Sequence, residues 1–530
     1  MLERVIIDNY KSFMHFEISL RNDVNIIVGD NEAGKSSLLE AINIALTGQL
    51  GGKNIMFELS PHLFNIHAVK TYIEELQRGQ NPTLPEIRIE LYLKSDKETE
   101  TLAGTNNSKK ENVPGITFSI EFNDEFTEEY QNYVKSPLEI RTIPIEYYTI
   151  KWYAFSNSAI TTRSIPINVS LIDTTLHKSP NGADQYISKI ITDSLDVKER
   201  VNMALDYRRL RELFAERPAI KSINGRLAAQ KGELSDKDLT VSFDISQKTS
   251  WESGLTSYLD EVPFQNSGKG EQNAVKMKLA IEMKAHKSQL ILIEEPENHL
   301  SFSSMNKLIN QISRKCGDKQ LIITTHSTYV LNKMGLEKLI LLKNGKCLTL
   351  RELTEDTQNY FMKLPGFDTL RMLLAKRSIL VEGPSDELMI QKAYYKVHGK
   401  LPIEDGVDVI SVNALAFKRF LEIAKVLQLD VRVVTDNDGD LIKLSEKYEE
   451  YLNLDNIMIC FDEDISYPTL EPQLVKSNDL DLLNRIFNRK YTTQQEMMHF
   501  MKSNKADCAL LLFETKEDVN IPGYINAAIN

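Results

Sequence analysis

The chain is poor in cysteine. There are 4 in 530 residues, Cys316, Cys347, Cys460 and Cys508, and no two form a C-x-x-C pair. That spacing argues against a disulfide framework and a zinc ribbon. No apolar run approaches the roughly 18 residues that would span a bilayer. No charged-then-apolar leader precedes the strand-like "LERVIIDNY", so a cytoplasmic protein is expected. Surplus positive charge is also lacking: the formal net charge is -12 and the pI is near 5.5. A surface coated in basic residues is excluded by that balance, although a local basic groove is not. Internal repeats and long heptad arms are absent. What remains is a chain long enough for about three or four domains, with 42% apolar residues to fill ordinary cores.

Periodicity divides the chain. Alternation by two marks "ERVIIDNY", "MHFEISL", "EIRIELYLK" and "ITFSIEF" as antiparallel strands, and "VNIIVG" as a buried one. "IPIEYYTIKWYAF", "IPINVSLID" and "LTVSFDI" add further strands. The polar "SDKETETLAGTNNSKKENVPG" is expected to be a mobile loop. Between 180 and 232 the spacing turns helical and locally basic, with Arg208, Arg209, Arg211, Arg217, Lys221, Arg226 and Lys231. A solvated helical insertion is the favoured interpretation, and a dimerisation or nucleic-acid-contacting arm the sharper one. "LILLKNGKCLTL" reads as a hairpin about Asn344-Gly345. From "SILVEG" onward, short apolar strands alternate with helices, the pattern of a second, parallel sheet. The expected boundaries are a split head at 1–179 and 233–350, the insertion at 180–232, a connector at 351–376, and a final domain at 377–530.

Two constellations carry chemistry. The first is "GDNEAGKSS", which follows a strand and opens a helix. That is the context of a phosphate-binding loop. Gly29 and Gly34 let the backbone wrap phosphates, with Asn31 and Ser37 inside the same loop-to-helix segment. Lys35 neutralises the β- and γ-phosphates, and Ser36 is placed to ligand Mg²⁺. The acidic strand "LILIEEPENHL" offers Glu294 to hold Mg²⁺ and Glu295 to polarise the attacking water. "NSGKGEQNAVKMKLAIEM" puts Ser267, Gly268 and Gly270 at the mouth of a helix, and "ITTHS" ends a strand at His326.

The second constellation is "VVTDNDGD". Asp436, Asp438 and Asp440 follow at every second position, where their charges repel unless a cation lies between them. A calcium loop of EF-hand type fails, because Leu441 stands where Gly is needed and Lys447 where Glu is needed. The cluster ends the third strand of the parallel sheet, and Glu382 in "LVEGPSDELMI" ends the first. Strand ends of a parallel sheet face one crevice, so Glu382 is expected to meet Asp436 and Asp438, with Asp386 leaning in from the next helix. Carboxylates without His or Cys favour Mg²⁺ or Mn²⁺.

The order of phosphate loop, signature-like helix, acidic strand and histidine resembles the ATP-binding-cassette heads of chromosome-maintenance and recombination-repair ATPases, whose opening motif "IDNYKSF" also resembles. In such heads the histidine touches the γ-phosphate, and a signature from one subunit closes the nucleotide held by the other, so the resemblance implies a homodimer or a higher homo-oligomer such as a dimer of dimers. Two features depart from the pattern: Glu294 replaces the usual Asp, and the signature lacks its leading leucine. Slower hydrolysis is the expectation. A glutamate ending strand one and D-x-D ending strand three resemble the Toprim domain of primases, topoisomerases and some nucleases. The pairing of the two resembles the overcoming-lysogenisation-defect (OLD) family of ATP-dependent nucleases, which includes Gabija-type and retron-associated defence proteins. That resemblance implies that the 180–232 insertion dimerises the protein, that a later glutamate (Glu471) joins the ligands, and that a C-terminal lysine (Lys505) stabilises transition-state charge. Asp462, Glu463 and Asp464 compete with Glu471.

The fold class expected is therefore α/β: an ABC-type P-loop ATPase head with an antiparallel β subdomain and helical insertion, followed by a Toprim parallel-sheet domain. The expected function is an ATP-regulated, divalent-metal-dependent endonuclease acting on DNA in anti-phage defence. It would use ATP with Mg²⁺ in the head and one or two Mg²⁺ or Mn²⁺ ions in the Toprim site. A helicase or a retron reverse transcriptase is the partner class implied. Two alternatives stay open: cleavage of structured RNA such as tRNA, and an ATP-driven DNA-binding switch whose carboxylates hold a structural ion.

Overall fold

Apolar side chains in Leu2–Tyr10 make it an inner strand of an antiparallel sheet. Phe13–Ser19 pairs on one side and Ile87–Leu93 on the other, followed by Val113–Phe122 and Tyr148–Ala154. Phe118 and Trp152, cross-strand neighbours, pack edge to face at 5.0 Å. The computed structural model describes residues 1–173, 192, 195–229, 240, 241, 251, 257–284, 288–343, 345–412 and 416–530. The strand expected at "LTVSFDI" therefore lies outside the described residues apart from Thr240 and Val241, as do 180–191, 193, 194 and 230–232 of the insertion, and Asn344 of the hairpin.

The chain divides into two compact units, Met1–Val24 with Ser36–Thr324, and Asn25–Lys35 with Thr325–Asn530. In the first unit, Val169–Asp173, Leu290–Glu294 and Gln320–Thr324 run parallel as fully apolar-centred strands. The buried Gln320 amide joins this layer to the antiparallel one. It accepts from Leu2 N at 2.8 Å and donates to Leu2 O at 2.6 Å and Arg21 O at 2.7 Å. The insertion contributes helices Val197–Ala215 and Pro218–Ala228, the first opened by a capping box between Asp196 and Glu199. Val197, Leu210 and Leu213 on it stay exposed.

The segment 95–112 is not the mobile loop its composition suggests. Thr99, Leu102 and Asn107 are buried. Ser108 donates through N and Oγ to the buried Glu90 carboxylate at 2.9 and 2.7 Å, and Asn107 closes a turn on Glu111. Polar residues signal a loop, but here they are spent on internal hydrogen bonds that satisfy a buried charge.

In the second unit the strand Val24–Gly29 runs parallel to Leu339–Lys343, which turns back into Lys346–Thr349. After helices Glu355–Lys363 and Thr369–Leu374 comes a four-stranded, all-parallel sheet in the order Val407–Ser411, Arg377–Val381, Asp430–Val434, Ile457–Cys460. Its strands are near-continuous apolar runs, as sheets covered on both faces require. Helix Pro384–His398 and the C-terminal helices pack over one core that includes Ile379, Met389, Val434, Leu474 and Ile525. Polar side chains tie residues 332–343 to the segment that precedes this sheet. Asn332 donates to Phe367 O at 3.0 Å and accepts from Thr369 Oγ1 at 2.8 Å, and Lys343 donates to Ala375 O at 2.8 Å. Among the described residues no helix is long and apolar enough to cross a membrane.

Candidate functional site

The phosphate loop is held open by its own glycines. Gly34 has φ +92°, a conformation most side chains resist. A Cβ on Gly29 would meet Leu342 O at 2.7 Å. The Lys35 side chain is buried and curls into the loop, its ammonium donating to Gly29 O at 2.8 Å and Asp30 O at 3.0 Å. Helix Lys35–Thr47 begins at that lysine, carrying Ser36 and Ser37 in its first turn, while Asn31 is exposed on the loop. Thr325 N donates to Ile27 O at 3.2 Å. The exposed His326 therefore leaves a backbone fixed to the strand that feeds the loop.

The acidic strand ends in a second tight arrangement, within the other unit. Glu294 closes the strand, and Glu295 adopts φ +41° while its N donates to Thr324 O at 3.0 Å. Asn298 Nδ2 donates to Glu295 Oε2 at 2.7 Å. A non-glycine residue in the left-handed region costs energy and persists where its surroundings fix it. The signature-like helix Lys269–Leu279 packs against the same loop, with Ser267 just before its cap residue Gly268. A Cβ on Gly270 would meet His299 O at 2.4 Å, and Asn273 donates to Asn298 O at 2.8 Å. Gly270 is thus a close-approach glycine.

The carboxylates of the parallel sheet gather at its strand ends. Glu382 Oε1 accepts from Thr435 Oγ1 at 2.7 Å and from Asp436 N at 3.1 Å, which fixes the first strand's end to the third's. Asp386 lies in the first turn of Pro384–His398 and accepts from Gly383 N at 3.1 Å. Burial, then the charges of Glu382 and Glu471, push Asp386 up to about 7 from 3.8. Asp436 is pushed up to about 8, by burial first and then by Glu382, Asp386, Glu471 and Asp438. Lys505 Nζ stands 3.3 Å from Glu471 Oε1, so the two C-terminal residues singled out by resemblance meet. Asp440 is spent otherwise: it caps helix Leu441–Tyr448 by accepting from Lys443 N at 3.1 Å. Asp462 and Asp464 face Lys476, at 3.8 and 2.8 Å.

The candidate ligands here are all carboxylate oxygens, and the repulsion that adds to burial in raising Asp386 and Asp436 is what a hard divalent cation relieves. The residues fit such an ion by chemistry. Among the described residues, no three His, Cys, Asp or Glu side chains converge tightly enough to ligate one as placed.

Three participants were not singled out from the sequence. Thr435 and Asn437 interleave with the aspartates, and the alternation that leaves Asp436 half-buried and Asp438 exposed could have flagged them as their buried counterparts. Tyr524 comes from the last helix. Its phenol is raised by burial and then by Asp386, Asp436, Asp462 and Glu382; no sequence signal marks it.

The family described as AAA ATPase domain matches residues 1–331. The family described as overcoming lysogenization defect protein-like, TOPRIM domain, matches residues 373–438. Endonuclease GajA of Bacillus cereus is 26% identical over 191 residues, covering 33% of this chain and 33% of that protein. The DNA double-strand break repair Rad50 ATPase of Methanopyrus kandleri is 50% identical over 46 residues, 9% of this chain and 5% of that one. The chain thus matches about a third of the first relative's length and a small fraction of the second's. Among solved structures, the SMC head domain from Thermotoga maritima aligns over 66% of this chain and 98% of its own, with 13% identity and a TM-score of 0.31.

Proposed function

Since the chain belongs to the AAA ATPase domain family and joins to it an OLD-like Toprim domain, we propose that it is an ATP-regulated, divalent-metal-dependent endonuclease that cleaves DNA in defence against phage. The observation that carries this reading is the mutually repelling set of half-buried Glu382, Asp386 and Asp436 with buried Glu471, and exposed Asp438 beside them. These five would hold Mg²⁺ or Mn²⁺. Bound there, one or two such ions supply activation of water and neutralisation of the leaving oxygen. Glu382 is kept in place by Thr435. Lys505, paired with Glu471 and more than half exposed, is available to the phosphate of a substrate.

In the head, Lys35 and the loop amides would bind the ATP phosphates, Ser36 and Glu294 would hold Mg²⁺, Glu295 would polarise water, and His326 would meet the γ-phosphate. Ser267, Gly268 and Gly270 would close the nucleotide of a second copy. The exposed apolar residues of Val197–Ala215 favour a homodimer through the 180–232 insertion. The working division is a head at 1–179 and 233–350, a connector at 351–376 and a nuclease domain at 377–530, in the cytoplasm.

The test is cleavage of supercoiled plasmid with Mg²⁺ or Mn²⁺, run beside a tRNA pool and a phosphate-release assay. The parent should cut plasmid. The Asp436→Asn, Asp438→Asn double variant should not, while still hydrolysing ATP. Full cutting by that variant overturns the reading, and cutting of tRNA alone reassigns the substrate.

A further inference from the structure

Between the two aspartates of "TDND" lies a side chain with no assigned task. Asn437 is buried, 2% exposed, and both its amide hydrogens and its amide oxygen are engaged. Nδ2 donates to Asp462 O at 2.7 Å and to Asp464 O at 3.1 Å, and Oδ1 accepts from Gly439 N at 2.9 Å. Its own carbonyl accepts from Asp440 N at 3.0 Å, closing a four-residue turn whose central residues have φ +48° and +74°. Positive φ at both central positions is the type I′ pattern, which asparagine, aspartate and glycine tolerate best. Asp438 is the first of those central residues, so its direction depends on this turn.

The far side of the clamp matters as much. The loop that receives Asn437 is braced by Lys476, 2.8 Å from Asp464 and 3.8 Å from Asp462. Lys476 sits on helix Leu470–Ser477, which also carries Glu471. Asp438 N adds a further tie, to Pro468 O at 3.3 Å just before that helix. One buried amide therefore refers Asp436 and Asp438 to the scaffold that presents Glu471.

We propose that Asn437 is a positioning residue. By clamping the turn to the 462–464 loop it sets the separation of Asp436 and Asp438 from Glu471, and so the affinity of the Toprim carboxylates for a divalent cation. The proposal rests on the nuclease reading for its purpose, but not for its test. A buried asparagine with satisfied partners is retained where geometry must be unique, because each partner left without it loses a hydrogen bond in a dry place.

Two variants of the full-length chain decide it. Asn437→Ala removes the clamp. Asn437→Asp keeps the size and the acceptor for Gly439 N, cannot donate to the two carbonyls, and adds a negative charge. Mn²⁺ affinity is measured without nucleic acid, from the free-ion electron paramagnetic resonance signal. Circular dichroism and gel filtration report folding. Positioning predicts affinity at least tenfold weaker in both variants, weaker in Asn437→Asp despite its extra charge. Where the parent cuts plasmid, kcat should fall at least tenfold with KM for plasmid within twofold. Parent-like affinity in Asn437→Ala, or tighter binding by Asn437→Asp, overturns the proposal. So does a parent that binds no Mn²⁺, or unfolding of both variants, which would make Asn437 purely structural. A parent that binds Mn²⁺ but never cuts nucleic acid sinks the nuclease reading and still leaves Asn437 decided by affinity.

Discussion

Thr435 Oγ1 donates to Glu382 Oε1 at 2.7 Å, joining the ends of two neighbouring parallel strands through side chains rather than backbone. The hydroxyl is buried beside a carboxylate, so it orients that carboxylate and leaves its second oxygen for other work. Thr435→Val keeps the shape and deletes the donor. Loss of a hydrogen bond to a charged group is worth about 1.5–3 kcal/mol. Expected outcomes are a Mn²⁺ requirement for plasmid cutting raised severalfold, and recovery in Thr435→Ser. Cutting by Thr435→Val at the parent's rate and metal optimum would show that Glu382 needs no such support.

The raised carboxyls give a pH dependence with a definite sign. Asp386 and Asp436 sit near 7 and 8 when folded, against 3.8 when unfolded. Between those values the folded, metal-free protein binds more protons than the unfolded chain, so its stability falls as pH rises from about 4 to 8. A cation needs the deprotonated oxygens and therefore competes with protons. The rise in Tm on adding Mn²⁺ should be larger at pH 8.5 than at pH 6. Asp436→Asn should flatten both trends. An equal Mn²⁺ effect at the two pH values would contradict the shared-charge account.

Lys505 separates activity from stability. Its side chain is 55% exposed, and its ammonium is paired with the buried Glu471. An ion pair this exposed at one end contributes about 0–1 kcal/mol. Lys505→Ala should barely move Tm yet lower plasmid cutting at least tenfold. Unchanged cutting would leave the lysine a surface residue.

The head offers a contrast between two neighbours. Lys35→Ala should abolish ATP binding, since the ammonium that points into the loop is lost. Glu295→Gln should bind ATP and hydrolyse it about a hundredfold more slowly, within the usual range for a general base. Asn298→Ala should fall between parent and Glu295→Gln, because Asn298 aims the Glu295 carboxylate at 2.7 Å. Phosphate release measures all three, and parent-rate hydrolysis by Glu295→Gln would refute the base assignment.

The strands and helices that frame these sites follow from apolar periodicity, since side chains of period two or 3.6 bury one face whatever they later touch. Strand order also carries information. Glu382 ending one parallel strand and Asp436 just past the end of another is enough to expect that they meet, and Asp436 N does donate to Glu382. What periodicity could not carry is the destination of polar side chains. Ser108 and Asn107 look like turn residues until the buried Glu90 is seen beside them. Asn437 looks like a spacer until Asp462 and Asp464 supply its acceptors. Tyr524 is reached only through the packing of the last helix on the sheet.

The strand Val24–Gly29 pairs with Leu339–Lys343, and the whole of Ser36–Thr324 is made in between. A ribosome adds about 5–20 residues per second. For roughly 15–60 seconds of synthesis, then, the buried Ile26, Ile27 and Val28 must wait for that neighbour. The nucleotide loop that follows them acquires its Leu342 wall only when most of the protein has emerged. Completion of that loop is therefore a late event in this chain's biosynthesis.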